Sequence, residues 1–147
     1  MISIRRAASA DAAPIAALTL QLGYPTDEAA IRTRLSQLLP DPAQLVLVAE
    51  SGDAIVGWLH AHTYTALEAG PQVEIVGLVV SAQHQRCGAG RALVAEVERW
   101  AAALGPGVLV VRSNVRRAES HRFYRALGFA HSKTQAVYQK PGDIPAA

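Results

Sequence analysis

The run from Val73 to Val80 constrains this chain more than any other segment. Its apolar residues fall on both alternating faces, with Glu74 as the one exception, and a strand apolar on both faces is the pattern of a sheet centre covered on each side. Any fold must therefore hold a sheet between two layers. Gly77 interrupts the run with no side chain to pack, so either a bulge forms there or another backbone or a ligand approaches closely. Length sets the scale. A chain of 147 residues buries roughly 70% of the surface it exposes when unfolded and is too short for two independent cores. A single domain over residues 1–140 with a short tail, 141–147, is the expectation. Half of the residues are apolar and 18% are charged, which excludes intrinsic disorder, collagen and a free-standing coiled coil.

Other elements follow from periodicity. Ile2–Arg5 reads as a first strand. Ile15, Leu18 and Leu22 recur at helical spacing after Ser9 and before Gly23, which predicts a helix over Ala10–Leu22, with Pro14 near its first turn. Thr26 is placed to cap a second helix with the stripe Ile31, Leu35, Leu38 and Leu39, ended by Pro40 and Pro42. Leu45–Ala49 and Ile55–Tyr64 read as antiparallel strands joined through Ser51, Gly52 and Asp53. After the central strand, Leu93, Val97 and Trp100 mark a helix over Ala89–Leu104, followed by a short buried strand, Val108–Val111. A last helix, Arg116–Leu127, stops at Gly128, and Val137 and Tyr138 belong to a closing strand. This order describes a mixed α/β sheet with helices on both faces.

Charge and cysteine usage exclude several function classes. Fourteen basic and twelve acidic residues leave a charge of +2, too small a surplus for a nucleic-acid footprint. The single cysteine, Cys87, excludes an intramolecular disulfide framework and a Cys-rich zinc module. Arg5 and Arg6 precede an alanine-rich stretch, but Asp11 and Pro14 interrupt it. No apolar run reaches signal or membrane length, so a soluble, cytoplasmic protein without membrane contact is expected.

The chemistry concentrates where the central strand meets the long helix, from Ser81 to Arg91. A glycine-containing turn that opens a helix exposes unpaired backbone N–H groups at the positive end of the helix dipole, a cradle for phosphate. Arg86 and Arg91 add mobile positive charge suited to a pyrophosphate. The alternative is a plain loop whose glycines only make the turn. A Walker A loop lacks its Gly-Lys-Ser/Thr end here, and a dinucleotide fingerprint would need a third glycine or alanine where Leu93 stands. Neither NTP hydrolysis nor hydride transfer has support.

Gln85-x-x-Gly88-x-Gly90 after Leu78-Val79-Val80 resembles the acyl-CoA pyrophosphate loop of the GNAT superfamily of N-acetyltransferases. A second block stands at the family's distance: Val111, Arg112, Ser113 and Asn114, then Ser120-His121-Arg122-Phe123-Tyr124-Arg125-Ala126-Leu127-Gly128-Phe129. The resemblance covers nearly the whole chain. It implies a mostly antiparallel sheet of about six or seven strands that splays between the fourth and fifth. In that fold the backbone of Leu78, Val79 and Val80 pairs with the pantetheine arm of acetyl-CoA, and the loop Gln85, Arg86, Cys87, Gly88, Ala89, Gly90 and Arg91 holds the pyrophosphate. Asn114 bonds the pantetheine arm, Ser120 and Phe123 border the cofactor, and Tyr124 stands near the thioester sulfur as general acid. Cys87 departs from the family, which often has Arg or Gly there.

The roles agree with the chemistry. An amine acceptor with a pKa near ~10.4 must lose a proton before attacking a thioester, and the departing thiolate, near ~8.5, is usefully protonated by a phenol. Tyr124 serves as that phenol, or packs on a stripe with Ser120, Phe123 and Leu127. Glu74 is the candidate base, against the alternative of a solvated glutamate at a strand start. Trp58, His60 and His62 alternate onto one face with Val56 and Tyr64 as the wall of an acceptor pocket, or as an exposed face of bulky residues. Tyr24, Arg112 and Ser113 are further acceptor-site candidates. The two histidines find no third ligand spacing, so no metal is expected.

The expected activity is transfer of acetyl from acetyl-CoA to the primary amine of a small molecule or peptide by direct attack. The alternative is an idle acyl-CoA-binding sensor or interaction module. A homodimer is the default assembly.

Overall fold

The computed structural model of the protein describes residues 1–105, 107–113 and 118–142. It divides into two compact units, Met1–Arg112 and Ser113–Ala147. The first contains β1 (Ile2–Arg6), a 3-10 turn (Ser9–Asp11), α1 (Ala12–Gln21), α2 (Glu28–Leu38), β2 (Gln44–Ser51), β3 (Ala54–Ala66), β4 (Gly70–Val80), a second 3-10 turn (Ala82–His84), α3 (Ala89–Leu104) and β5 (Leu109–Val111). The second contains α4 (Ala118–Ala126). Among the described residues no helix is long and apolar enough to cross a membrane.

The sheet runs β1-β2-β3-β4-β5. Neighbours are antiparallel from β1 to β4, and β5 joins β4 in parallel. Hairpins make this order local: Ser51 pairs Ala54 across Gly52 and Asp53, with Gly52 at φ 60, where glycine carries no steric penalty. Period-two alternation then sorts the side chains into two layers. Val46, Val48 and Trp58 pack with Ile15 and Ala16 of α1 and with Ile31 and Leu35 of α2. The opposite face carries Leu47, Leu59 and Ala61, and there Leu93, Val94 and Val97 of α3 are fully buried. Helices on both faces and the expected bounds of α3 are observed.

Three details differ from expectation. Asp27, not Thr26, caps α2: its carboxylate accepts from the Ala30 N–H at 2.8 Å. A carboxylate there also meets the positive end of the helix dipole, which a hydroxyl does not exploit. Helix α1 starts later than its periodicity predicts, because Ser9–Asp11 tightens into a 3-10 turn. That turn is held by Asp11, which accepts from the Ala8 N–H at 2.7 Å and takes both guanidinium ends of Arg5 at 2.8 Å. The Arg5 hydrogen bonds hold the Asp11 carboxyl below the usual carboxylate range.

The third difference is a correction. Val137 and Tyr138 form no strand; the described chain after α4 has no regular secondary structure. Their side chains are 82% and 90% exposed, so no burial offsets the entropy of ordering them. The sheet therefore has five strands among the described residues.

Candidate active site

The sheet opens beside β4, and a bulge accounts for it. The β3–β4 register passes from His60↔Gly77 to Ala61↔Ile75, leaving Val76 as an extra residue on β4. A bulge bends its strand and sharpens the twist. Pairing with β5 covers Val73, Glu74 and Ile75 and ends there. Beyond the bulge, β4 including Leu78, Val79 and Val80 keeps β3 on one side and, among the described residues, presents an unpaired backbone edge on the other. Gly77 adjoins the bulge, one of the two readings the sequence left open; what approaches it closely is a side chain, the Trp58 indole, from which a Cβ would lie 2.8 Å. Gly57 is a missed counterpart. A Cβ there would meet the Val79 carbonyl at 2.9 Å, so glycine lets β3 lie close under the open strand. Its sequence signal was a glycine inside an alternating strand.

β4 continues into the glycine loop. Ser81, buried, donates its N–H to Val56 at 2.8 Å and fixes the strand end. Arg86 at φ 66 and Gly88 at φ 88 turn the chain into α3 through left-handed backbone. Gly88 is the N-cap and no side chain caps the helix. The first bond across the cap runs from Ala92 N–H to the Gly88 carbonyl at 2.9 Å, so the Ala89, Gly90 and Arg91 amides lead the helix without helical partners. A Cβ on Gly88 would meet nothing within 4 Å, which leaves the approach open. Arg86 and Arg91 are exposed beside it. The exposed Cys87 thiol turns back to the His84 carbonyl at 2.6 Å, so this residue offers the cradle its backbone. The loop and the unpaired strand edge fit the pyrophosphate and the amide-bearing arm of an acyl-CoA.

Glu74 is 8% exposed, not the solvated glutamate of a strand start. It accepts from the Tyr64 hydroxyl at 3.2 Å and pairs with Arg112. Both contacts fall on Oε1, so Oε2 remains as an acceptor. The carboxylate raises the Arg112 pKa above its ordinary value. Register places His62 directly opposite Glu74, with its ring 5.0 Å from Tyr64 and 6.3 Å from His60. His60 meets Gln44 at 2.7 Å. Burial, reinforced by His62, pushes the His60 pKa down. Sequence reasoning missed Tyr64 and Gln44 as partners because they lie 10 and 16 residues from the groups they bond. Trp58 is part of the packed layer under α1 and α2, so this face of β3 is covered in its first half. Tyr24 is half exposed in the loop between α1 and α2. No group of three or more metal-ligating side chains exists among the described residues.

In the second unit the Phe-Tyr-x-x-Leu-Gly-Phe motif forms a helix end. Phe129 N–H reaches the Tyr124 carbonyl at 3.0 Å and Gly128 N–H reaches Arg125 at 3.0 Å, with Gly128 at φ 93. These two bonds define a Schellman cap, whose apolar contact joins the residue after the glycine to the one five positions earlier. Here that contact is Tyr124 with Phe129, ring centres 5.7 Å apart, and Phe123 adds an edge contact at 5.2 Å. The motif thus fixes the Tyr124 ring. Ser120 and Phe123 are half-buried on the same helix, as is Ser113 before it. Asn114 lies outside the described residues.

Comparison with known proteins agrees with this geometry. The acetyltransferase (GNAT) family matches residues 13–129. The aminoglycoside N(6')-acetyltransferase type 1 of Stenotrophomonas maltophilia is 33% identical over 144 residues, covering 95% of this chain and 93% of the relative. The apo crystal structure of an aminoglycoside 6'-N-acetyltransferase from Acinetobacter haemolyticus superposes with a TM-score of 0.83 at 24% identity, over 96% of this chain and 99% of that one. A second 6'-N-acetyltransferase, in complex with a CoA bisubstrate analog, gives 0.85 at 18% identity, over 97% and 99%. The chain belongs to the acetyltransferase (GNAT) family and transfers an acetyl group from acetyl-CoA to an amine.

Proposed function

We propose that the acceptor is the primary amine of a small polar molecule, with the 6' amine of an aminoglycoside as the first candidate, and that Glu74 and Tyr124 handle the two protons. The named activity of the Stenotrophomonas maltophilia relative supports the acceptor class. The observation that carries the proton assignment is the buried Glu74, held through Oε1 by Tyr64 and Arg112 on the strand whose edge opens.

The roles are divided by chemistry. The loop amides of Ala89, Gly90 and Arg91 bind the pyrophosphate of acetyl-CoA, and the Leu78–Val80 edge aligns its arm. Glu74 Oε2 accepts from the acceptor ammonium and draws off its proton, which frees the lone pair that attacks the thioester carbonyl. Arg112 pairs with this carboxylate, and Tyr64 orients it. Tyr124 gives its phenolic proton to the departing thiolate. Asn114, Ser120 and Phe123 are the further cofactor-binding candidates; Tyr24, Trp58, His60, His62, Arg112 and Ser113 are the acceptor-binding candidates.

A thiol-release assay tests the reading. Aminoglycosides bearing a 6' amine should turn over, and analogues bearing a 6' hydroxyl should not. Equal rates on both, or turnover only of peptide amines, overturns the acceptor class. Tyr124→Phe should lower kcat at least about tenfold with little change in affinity for acetyl-CoA. Parallel losses of both would make Tyr124 a packing residue. Glu74→Gln should lower kcat at least about tenfold with little change in affinity for acetyl-CoA; unaltered turnover would remove Glu74 from proton transfer.

A further inference from the structure

Gln44 and His60 form a pair to which the acetyl-transfer reading gives no task. The Gln44 amide oxygen meets His60 Nε2 at 2.7 Å. An amide oxygen only accepts, so Nε2 carries the ring proton, and in the neutral imidazole Nδ1 keeps a bare lone pair. Burial and the neighbouring His62 favour that neutral form. Among the described residues Nδ1 is neither hydrogen-bonded nor buried, so it is an acceptor held open.

The ring borders a cavity of about 190 Å³ between α1, α2 and the sheet, where Ile15, Ile31, Leu35 and Leu38 supply apolar wall and no Asp or Glu stands. Arg34 on that wall can only donate, and Thr19 is engaged with the Ile15 carbonyl at 2.7 Å. A donor group arriving here meets His60. Register fixes how far that contact lies from the reacting centre. Glu74 is directly opposite His62, and His60 follows two residues along the same face of β3. Two residues of strand span about 7 Å, and the His60 and His62 ring centres are 6.3 Å apart. A hydroxyl on the carbon next to the reacting amine cannot bridge that span; a hydroxyl or ammonium group on the far side of a six-membered sugar ring can.

We propose that His60 Nδ1 is an acceptor-binding group, taking a hydrogen bond from a second hydroxyl or ammonium group roughly 7 Å from the amine that reacts, and that Gln44 is the positioning residue that fixes the tautomer this needs. The role rests on the proposed acceptor class and on Glu74 as the place where the amine reacts. It selects polyfunctional acceptors over simple monoamines.

Kinetics with kanamycin A, which carries a 6' amine, and nitrogen NMR of the imidazole in the free protein test this. The spectrum should show a protonated Nε2 and a bare Nδ1 in the wild type, and a mixture of tautomers in Gln44→Leu. His60→Leu should raise KM for kanamycin A at least about fivefold, while kcat and the KM for acetyl-CoA stay within about twofold. In His60→Asn the amide oxygen can take the place of Nδ1, and KM should return to within about twofold of wild type; His60→Gln carries its amide where Nε2 stood and should not restore it. Gln44→Leu should raise KM about two- to fivefold, and should add nothing when His60 is already leucine. A protonated Nδ1 in the wild type, KM indifferent to His60→Leu, equal KM values in the asparagine and glutamine variants, or additive effects of the two leucine substitutions would each overturn the proposal and leave the acceptor class standing. Absence of kanamycin A turnover by the wild type would overturn the acceptor class, and this role with it.

Discussion

Gly57→Ala tests the close approach of β3 and β4 under the open edge. The new Cβ would lie 2.9 Å from the Val79 carbonyl oxygen, 3.4 Å from Leu93 Cδ1 and 3.5 Å from Val80 Cγ2. The carbonyl is backbone and Leu93 is fully buried, so nothing nearby can swing aside. Relief requires the strands to part by about 0.5 Å to regain ordinary contact, and strain of this kind costs about 1–3 kcal/mol. Loss of glycine's freedom in the unfolded chain returns about 0.4–1 kcal/mol. The net expectation is about 1–2 kcal/mol, a Tm lower by about 2–8 °C for a chain of this size. Thermal unfolding followed by far-UV circular dichroism reads this directly. Gly77→Ala is the control: its Cβ meets the Trp58 indole at 2.8 Å, but that ring borders the cavity of about 190 Å³ and can move into it. Its loss should stay under about 1 kcal/mol. A Gly57→Ala protein that unfolds at the wild-type temperature, or a Gly77→Ala protein that loses more, would refute the reasoning. Because Val79 and Val80 are displaced, Gly57→Ala should also raise KM for acetyl-CoA more than it lowers kcat.

Gly88→Glu puts a carboxylate at the mouth of the pyrophosphate cradle and a side chain on backbone at φ 88; calorimetry should show acetyl-CoA affinity falling at least about tenfold, and retained affinity would place the pyrophosphate elsewhere. Asp11→Asn removes the carboxylate that joins Arg5 to the Ala8 N–H, and should cost about 1–2 kcal/mol at neutral pH after allowing for the exposure of Arg5. Because the folded Asp11 pKa is depressed, its contribution is complete above the ordinary aspartate value near ~3.9 and is lost as pH falls through the folded value, so wild-type and variant stabilities should converge in acid. His60 has a depressed pKa as well, so its contribution is complete above about pH 6.5 and declines as pH falls below it; His60→Gln should flatten that part of the stability profile, and an unchanged slope would assign it to another group.

The sequence alone determined most of the elements and marked the residues of the candidate site. Periods of two and 3.6 placed β2, β3, β4 and α3, because burial on one or both faces leaves its mark residue by residue. The two motif blocks marked the turn into α3 and the end of α4 because both rest on backbone geometry: a left-handed Gly88 before α3 and a left-handed Gly128 closing α4. Both constraints are local, so they are legible in a short stretch of chain. Val137 and Tyr138 misled for the same reason, since two strand-favouring residues carry no information about whether a neighbour exists to pair with them.

Tertiary structure decided what depends on residues far apart in the chain. The partners of Glu74 are Tyr64, 10 residues away, and Arg112, 38 away, and no local pattern announces such a triad. The bulge at Val76 depends on the register between β3 and β4, and the open edge depends on where the pairing with β5 stops. The cavity beside Trp58 exists because α1 and α2 cover Val46 and Trp58 without filling the space between them. Hydrophobic patterning specifies which face of an element is buried; the fit of that face against another element is set by volumes and distances that only the folded chain brings together.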